Sequence, residues 1–227
     1  MLLPALQNCK KIGQNNNMEN GKEAPKGYSI RPPRQARSVE SWRRILDAAR
    51  ELIEEGGTSA LTLSALCERA KVAPTTVYQR VDSMNALLYA VYLDGMHELE
   101  NFTHDLVLKS LKLPDRSPER VQKAIDAVGD TFTKHAQYLK AITEYSVRDE
   151  GFWQEEVRDA DHFVEDLIDA ISFGNRQAAF ECVDMIFTEN MVRILFGPHW
   201  MGRTAEAYPQ FRKRLFRMVW ARLNFDQ

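Results

Sequence analysis

The sequence has few cysteines, no long apolar run and no leader-like opening. Its 227 residues include only Cys9, Cys67 and Cys182, which lie far apart and form no CxxC pair. This scarcity excludes a disulfide framework and a cysteine-based zinc site, and it fits a reducing cytoplasm, where we expect the protein to reside. No apolar run approaches the roughly 18 residues of a membrane-spanning helix, so we expect no membrane partner. The opening MLLPALQNCKK is too short for a signal peptide.

Motifs of common catalytic sites are missing as well. There is no GxSxG, GxGxxG, P-loop or HExxH sequence, and no Cys-His arrangement typical of a nucleophile. His97 and His104 share a helix face, but a spacing of seven residues leaves the ligand geometry of a metal site incomplete. We therefore predict no enzyme, no catalytic residue, no metal and no other cofactor. Strand patterns are missing too, and the helical periodicity predicts an all-α fold.

Charge is distributed unevenly along the chain. The formal net charge is −2, but residues 1–85 carry +4 and residues 86–227 carry −6. A basic first part joined to an acidic remainder fits a nucleic-acid-binding end followed by a domain with a different task. Chance variation among solvated faces produces the same balance, so charge alone does not decide between the two interpretations.

Residues 62–84, TLSALCERAKVAPTTVYQRVDSM, predict two short helices joined by a tight turn. The first has apolar and small residues at helical spacing, and Pro74 opens the second at a position where proline is tolerated. Two short helices joined by three or four residues are the sequence form of a DNA-binding helix-turn-helix. The second helix exposes side chains that suit base edges and phosphates in a major groove, namely Thr75, Thr76, Gln79 and Arg80.

This run, preceded by ILDAARELIEEGG, resembles the amino-terminal domain of the TetR family of bacterial transcriptional repressors over residues 38–95. The sequence departs from the family pattern at several positions. Lys71 stands where the family usually has glycine, so we expect a lysine in a left-handed conformation. Ala73 stands where a serine usually caps the recognition helix, so we expect that cap to be missing. Met84 replaces a common phosphate-binding lysine, and Val81 replaces an aromatic residue.

The resemblance and the residue chemistry predict a set of DNA contacts. Thr62 begins the first motif helix, where backbone amides and a hydroxyl suit phosphate. The resemblance implies that the Tyr78 hydroxyl meets phosphate, and simple packing of this ring is the alternative. Thr75 and Gln79 are the predicted base readers, and Pro74 offers an apolar contact to a thymine methyl. The full predicted DNA-binding set is Arg34, Arg37, Thr62, Pro74, Thr75, Thr76, Tyr78, Gln79 and Arg80.

The arginines before the first helix have two interpretations. Arg31, Arg34 and Arg37 surround Pro32-Pro33, which favours an extended, semi-rigid segment. Such an arm can lay arginines along the minor groove or the DNA backbone. The alternative is a solvated basic linker.

Three regions are predicted from composition and helical breaks. Residues 1–30 contain QNNNMENGKEAPKG and few apolar side chains, which predicts a disordered extension. Residues 31–84 are predicted to form the helix-turn-helix domain, whose first helix is capped by Ser38 and runs to Glu55. Residues 85–227 are predicted to form a helical regulatory and dimerisation domain.

A long helix is predicted from about residue 85 to residue 111, capped by Asp82 or Ser83. At 1.5 Å per residue it measures roughly 40 Å, which is long enough to bridge two domains. The resemblance implies that its amino end packs under the DNA reader and that the rest enters the regulatory core. Ser117 and Pro118 then predict the start of a helix whose apolar stripe continues toward Tyr145.

The last two predicted helices, about residues 176–196 and 205–223, are apolar on more than one side. Such helices are either fully interior or shared with a partner. The resemblance implies a homodimer in which these two helices of each subunit form a four-helix bundle. A dimer also suits a palindromic operator, since two recognition helices one DNA turn apart, roughly 34–36 Å, match its half-sites.

A small-molecule pocket in residues 96–195 is implied mostly by the resemblance. An apolar pocket with a few polar groups suits a hydrophobic effector, which the sequence does not identify. Each candidate residue is, taken alone, as well explained by core packing. The predicted ligand-binding set is Met96, Phe102, Phe132, His135, Tyr138, Tyr145, Phe163, Phe187 and Met191.

These patterns together predict a DNA-binding transcriptional regulator. The specific expectation is a repressor that binds a palindromic double-stranded DNA operator as a homodimer and is released by a small hydrophobic effector. A ligand-independent dimeric DNA-binding protein is one alternative, and a helical enzyme is another. Release of bound DNA by a stabilising compound separates the sensor from the ligand-independent binder.

Overall fold

The computed structural model describes residues 28–31, 33, 35–147, 161–199 and 205–225, which belong to two compact units. The regular secondary structure of these residues is helical, and an isolated β-bridge joins Ile30 to Val81. The all-α fold class predicted from the sequence is therefore confirmed. Within the described ranges, no helix combines the length and the apolar character needed to cross a membrane.

The first unit contains the described residues up to Glu98 together with residues 137–147. Helix α1 spans Ala36–Gly56 and packs against helix α2, Leu63–Ala70, after a 3-10 turn at Thr58–Ala60. The apolar stripe of α1 fixes this packing, and its buried members are Ile45, Leu46, Ala48, Ala49, Leu52 and Ile53.

The start of α1 differs from the prediction. The helix begins at Ala36, with Gln35 in the cap position and no side-chain cap, so the predicted cap at Ser38 is wrong. Ala36 and Arg37 are both good helix formers, which favours a start ahead of the serine. The Ser38 carbonyl instead accepts a hydrogen bond from the Ser41 hydroxyl at 3.0 Å.

Helix α3, Pro74–Tyr78, follows α2 after three residues, and helix α4 spans Met84–Leu111. The Ser83 hydroxyl accepts from the Ala86 amide at 3.0 Å, so the predicted capping by this pair of residues is provided by the serine. The predicted long helix is confirmed. Its residues through Glu98 belong to the first unit and those from Leu99 to the second.

Helix α5, Pro118–Lys134, is capped by the Ser117 hydroxyl as predicted. The apolar stripe was expected to continue as one helix toward Tyr145. Instead, His135 (φ −110°, ψ 22°) leaves the helical region, and a separate helix α6 spans Ala136–Ser146. From Gln137 onward α6 belongs to the first unit.

The second unit is built from the later part of α4, from α5, and from three further helices. These are α7 (Asp161–Ile171), α8 (Arg176–Phe196) and α9 (Tyr208–Leu223), and α5 packs against all three. Buried hydroxyls of Thr103 and Thr131 share a hydrogen bond of 2.9 Å between α4 and α5. The Tyr208 hydroxyl donates to Asn190 Oδ1 at 3.2 Å between α9 and α8.

Candidate nucleic-acid interface

The turn between α2 and α3 has the geometry that a helix-turn-helix requires. Thr62 is the N-cap of α2, and its hydroxyl accepts from the Ala65 amide at 3.2 Å. At the other end of α2, Lys71 adopts a left-handed conformation (φ 54°, ψ 49°). The Val72 amide then donates to the Cys67 carbonyl at 3.1 Å, which closes the turn. The expected left-handed lysine is confirmed.

Helix α3 has one buried side and one open side. Val77 is fully buried, as is Leu66 of α2, so these two residues fill the angle between the helices. Tyr78 is 45% exposed, which argues against simple packing of its ring. Ala73 is extended (φ −76°, ψ 151°) and provides no side-chain cap, as expected. The exposed side of α3 therefore presents polar groups on a rigidly placed helix.

The predicted DNA-contact residues mostly reach solvent. Those exposed are Arg37, Thr62, Pro74, Thr75, Tyr78 and Gln79, and Thr76 and Arg80 are half-buried. A guanidinium nitrogen of Arg80 approaches the Arg31 carbonyl at 3.5 Å. Arg34 lies outside the described residues. A contact by any of these residues with DNA stays a prediction.

Salt bridges tie α1 to its neighbours. Arg69 of α2 forms two hydrogen bonds of 2.7 Å with the Glu55 carboxylate. These hydrogen bonds lower the pKa of Glu55. Arg50 of α1 contacts α4 through Asp94, at 2.8 Å, and through Glu98. Burial of Arg50 opposes its charged form, but hydrogen bonding and the charge of Glu98 leave its pKa raised. Ion pairs thus join α1 to α2 and to α4.

Tyr138 of α6 is built into this scaffold. Its ring is buried, and its hydroxyl donates to the Val91 and Tyr92 carbonyls at 3.1 and 3.3 Å. Gly95 leaves the space that this ring occupies, since an added Cβ would lie 2.1 Å from the Tyr138 hydroxyl oxygen. The Arg50 guanidinium lies 5.9 Å from the ring centre. Tyr138 thereby links α6 to α4 and α1 within the first unit.

The short extended segment before α1 was not identified from the sequence as part of this site. Tyr28 is buried, and Ile30 pairs with Val81 just after α3. Tyr28–Ile30 fall within the region assigned from the sequence to a disordered extension, and the remainder of that region lies outside the described residues. Alternation of apolar Tyr28 and Ile30 with polar Ser29 and Arg31 was the available signal, but four residues are too few to predict a strand.

The predicted ligand-binding residues fall in both units. Met96, Tyr138 and Tyr145 belong to the first unit, and the others with described side chains belong to the second. In the second unit Phe102 packs edge-on against His135, with ring centres 5.9 Å apart. Phe132 and Phe187 form a similar pair at 5.8 Å. Met191 is half-buried on α8, and the side chain of Phe163 lies outside the described residues.

Two clefts in the second unit involve other residues. One, of about 820 Å³, lies between α8 and α9 and is lined in part by Glu189, Arg193 and Arg214. The other, of about 650 Å³, lies between α5 and α9 and includes Asp126 and Arg212. Neither is lined by a residue of the predicted ligand-binding set, so that set stays a prediction.

The chain is similar in sequence to known bacterial regulatory proteins, most clearly in residues of the first unit. Residues 45–91 match the sequence profile of bacterial regulatory proteins of the tetR family. An uncharacterized HTH-type transcriptional regulator of Mycobacterium bovis is 39% identical over 66 residues, which are 29% of this chain and 31% of that protein. The chain thus spans about a third of that relative's length. One from Haemophilus influenzae is 24% identical over 156 residues, 68% of this chain and 73% of that protein.

A solved structure has a fold similar to that of most of the chain. A TetR-family transcriptional regulator from Mesorhizobium loti superposes with a TM-score of 0.69 at 13% identity, covering 84% of this chain and 98% of that one. At this identity the similarity concerns the fold alone. All three of these proteins are named as transcriptional regulators rather than as enzymes.

Proposed function

We propose that this chain, which belongs to the TetR family of bacterial regulatory proteins through its amino-terminal domain, binds duplex DNA with α3 and regulates transcription. The observation that carries the proposal is the two-sided character of α3. Val77 is fully buried, whereas Thr75 on the same five-residue helix and Gln79, its C-cap residue, are exposed. A helix presented in this way fits a major groove, where threonine and glutamine side chains can read base edges.

Phosphate contacts would fix the register of α3. Thr62 and Tyr78 are exposed near the two ends of the helix pair, and Arg37 is exposed in the first turn of α1. Hydroxyl and guanidinium groups are common phosphate partners, and such contacts position a protein on DNA without reading sequence. Thr76 and Arg80 complete the proposed contact set, together with Pro74 at a thymine methyl.

Binding to DNA fragments tests this proposal directly. Selection of protein-bound fragments from a random duplex pool, followed by a gel shift with the DNA upstream of the protein's own gene, should identify a preferred site. We expect the selected site to be a palindrome, and we expect the protein to stay bound to it in the presence of excess nonspecific competitor DNA. Enrichment of no sequence above the starting pool would contradict the proposal.

The proposed assembly is a homodimer formed through α8 and α9. Apolar side chains at the end of α8 are incompletely covered: Phe196 is 54% exposed, and Met191, Val192, Ile194 and Leu195 are half-buried. Met218 of α9 is 37% exposed. A helix face of this kind fits a partner surface, and a twofold dimer matches a palindromic operator.

Sedimentation of the purified protein tests the dimer. The double variant Phe196→Glu/Met218→Glu should shift the protein toward monomer, because charges would be buried in the interface. Leu108→Glu, at a 41% exposed position on α4, is the matched control and should leave the mass unchanged. A wild-type monomer at micromolar concentration would overturn this assembly.

The proposed regulation is release of the operator by a small hydrophobic effector, with the protein acting as a repressor in the cytoplasm. Helix α4 runs without interruption from the first unit into the second, so a change in one unit has a continuous path to the other. A ligand shifts this equilibrium only through different affinities for the two states. The effector would contact the predicted aromatic and sulfur-containing residues of the helical domain.

A compound screen separates regulation by ligand from the ligand-independent alternative. Compounds that raise the melting temperature would be added to the protein–operator complex, and release of DNA would be followed by fluorescence anisotropy. We expect at least one stabilising compound to weaken operator binding. If none does so, the ligand-independent dimeric DNA-binding protein is the better description.

A further inference from the structure

Helix α3 has weak local support for an element that must hold base-reading side chains. It spans five residues, and helices this short are marginal without outside contacts. Its N-cap, Ala73, has no side-chain acceptor, and the turn before it contains a left-handed lysine. Groups beyond α2 and α3 must therefore hold this helix in place.

The carbonyls at the end of α3 identify one source of that support. The amide of Gln79 donates to Thr75, and those of Arg80 and Val81 donate to Val77. The next carbonyl, that of Tyr78, accepts from the Arg31 guanidinium at 3.2 Å. The last carbonyls of a helix lack internal partners, so this contact acts as a C-terminal cap supplied by a residue 47 positions away.

The segment Tyr28–Arg31, here called the strap, is held by several further contacts. The backbone amide of Arg31 donates to the Arg80 carbonyl at 2.7 Å, beside the bridge between Ile30 and Val81. The Arg31 side chain also pairs with the Asp82 carboxylate. These contacts fix both the backbone and the side chain of Arg31 at the carboxyl end of α3.

An aromatic contact anchors the start of the strap. Tyr28 is 7% exposed, and its ring centre lies 5.2 Å from that of Tyr89 in α4. Tyr89 in turn stacks on Tyr92 at 6.1 Å. Tilted aromatic pairs at these separations are favourable beyond the area that they bury. The strap is thus attached to α4 at one end and to α3 at the other.

We propose that the strap is a working part of the helix-turn-helix formed by α2 and α3. In this proposal Arg31 is a positioning residue that caps α3 and fixes the direction of Thr75 and Gln79. This inference rests on the proposed function of α3 in reading DNA. The arginines around the start of α1 then have two tasks, since the Arg31 side chain contacts the protein itself. Arg37, which is exposed, remains available for phosphate.

Three variants test the strap in the full-length protein. Arg31→Ala removes the cap, Asp82→Ala removes the acid that holds Arg31, and Tyr28→Ala removes the anchor without changing charge. Each should weaken binding to the selected operator about five- to tenfold, because loss of a charged hydrogen bond or an aromatic anchor costs that much. Arg176→Ala is the control, since Arg176 forms comparably exposed ion pairs in the second unit.

Salt dependence distinguishes positioning from a direct DNA contact. A phosphate contact by Arg31 would make Arg31→Ala weaken operator and nonspecific DNA alike and reduce the salt slope by about one. A cap instead predicts an unchanged slope and loss confined to the operator. Asp82→Ala further separates the positioning role from the phosphate contact. If Arg31 touched phosphate, releasing it from Asp82 would strengthen DNA binding. Stronger binding by Asp82→Ala, or equal losses on both DNAs, would overturn the proposal.

Hydrogen exchange without DNA separates failure of the strap from failure of the function. The amides of residues 79–81 should exchange at least threefold faster in Arg31→Ala and Tyr28→Ala than in the wild type and in Arg176→Ala. If the wild type selects no operator but these amides still accelerate, the structural role stands and the DNA-reading role fails. If the wild type binds an operator and neither exchange nor affinity changes, the strap proposal alone fails.

Discussion

Lys71 stores backbone strain at the turn that orients α3. Its left-handed conformation (φ 54°, ψ 49°) costs an L-residue roughly 1–2 kcal/mol, a cost that glycine avoids. We expect Lys71→Gly to raise the free energy of unfolding by about 0.5–1 kcal/mol, after allowance for the greater freedom of unfolded glycine. Urea denaturation measures this change. Lys71→Ala keeps the backbone strain, so its free energy of unfolding should stay close to that of the wild type. Equal stabilisation by both variants would show that strain at position 71 is not the cause.

The thiol of Cys182 is buried, and its burial makes stability depend on pH. Burial raises its pKa to about 12, whereas an ordinary thiol ionises near pH 8.5. The folded chain therefore keeps this proton at pH values where the unfolded chain loses it, so the contribution to stability is complete below about pH 8.5 and declines toward pH 12.

The accompanying measurement is alkylation, which requires the thiolate. Iodoacetamide at pH 8.5 should modify Cys182 only when urea unfolds the protein, and mass spectrometry of its peptide reports the extent. Cys67, which is half-buried, serves as the internal comparison and should react sooner. Equal modification of Cys182 in folded and unfolded protein would contradict its burial.

The amino end of α3 lacks a side-chain cap, so a capping residue introduced at position 73 should stabilise the helix. Ala73 already has the extended backbone of an N-cap residue, and the Thr76 amide donates to its carbonyl at 2.9 Å. Ala73→Ser should stabilise the protein by about 1 kcal/mol, because the new hydroxyl can accept a hydrogen bond from an amide in the first turn of α3. Thermal denaturation measures this gain. Ala73→Gly should gain less, and a loss on introducing serine would show that the amide is not available.

Helices α4 and α6 are in contact where the Tyr138 ring lies against Gly95. Gly95→Ala should destabilise the protein by about 1–3 kcal/mol, since the new methyl group would overlap the Tyr138 ring. Urea denaturation in a double-mutant cycle gives the control: the same substitution in a Tyr138→Ala background should cost much less. Equal costs in both backgrounds would mean that the glycine is not needed for this ring.

Elements were predicted well where their signals are local. The cap at Ser117, the proline at Pro118 and the apolar period of α4 each act within a few residues, so the sequence pattern identified them. The cap at Ser38 was predicted wrongly, because the helix begins at Ala36 without any side-chain cap. The break at His135 was missed because the apolar period continues through it, although the backbone there leaves the helical region.

At the scale of the whole molecule, the harder features come from distant contacts. Arg31 meets Tyr78 across 47 residues, and Tyr138 meets Val91 across the same separation. No local period encodes such pairs. The sequence predicted the exposure of Thr75 and Gln79, whereas Thr76 and Arg80, also expected to be exposed, are half-buried. It did not predict which distant residues hold α3 in place. For the same reason, it identified aromatic residues in the helical domain without indicating which of them share a unit.

Both the proposed regulation and the proposed role of the strap require that α3 reads DNA. Its most direct test compares binding of the wild type and of Thr75→Ala/Gln79→Ala to the selected operator and to nonspecific DNA, at one salt concentration, by fluorescence anisotropy. We predict that the double variant loses roughly ten- to a hundredfold in operator affinity, about 1–3 kcal/mol, and keeps its nonspecific affinity. Unchanged operator affinity in a folded variant would show that α3 does not read the bases of the operator.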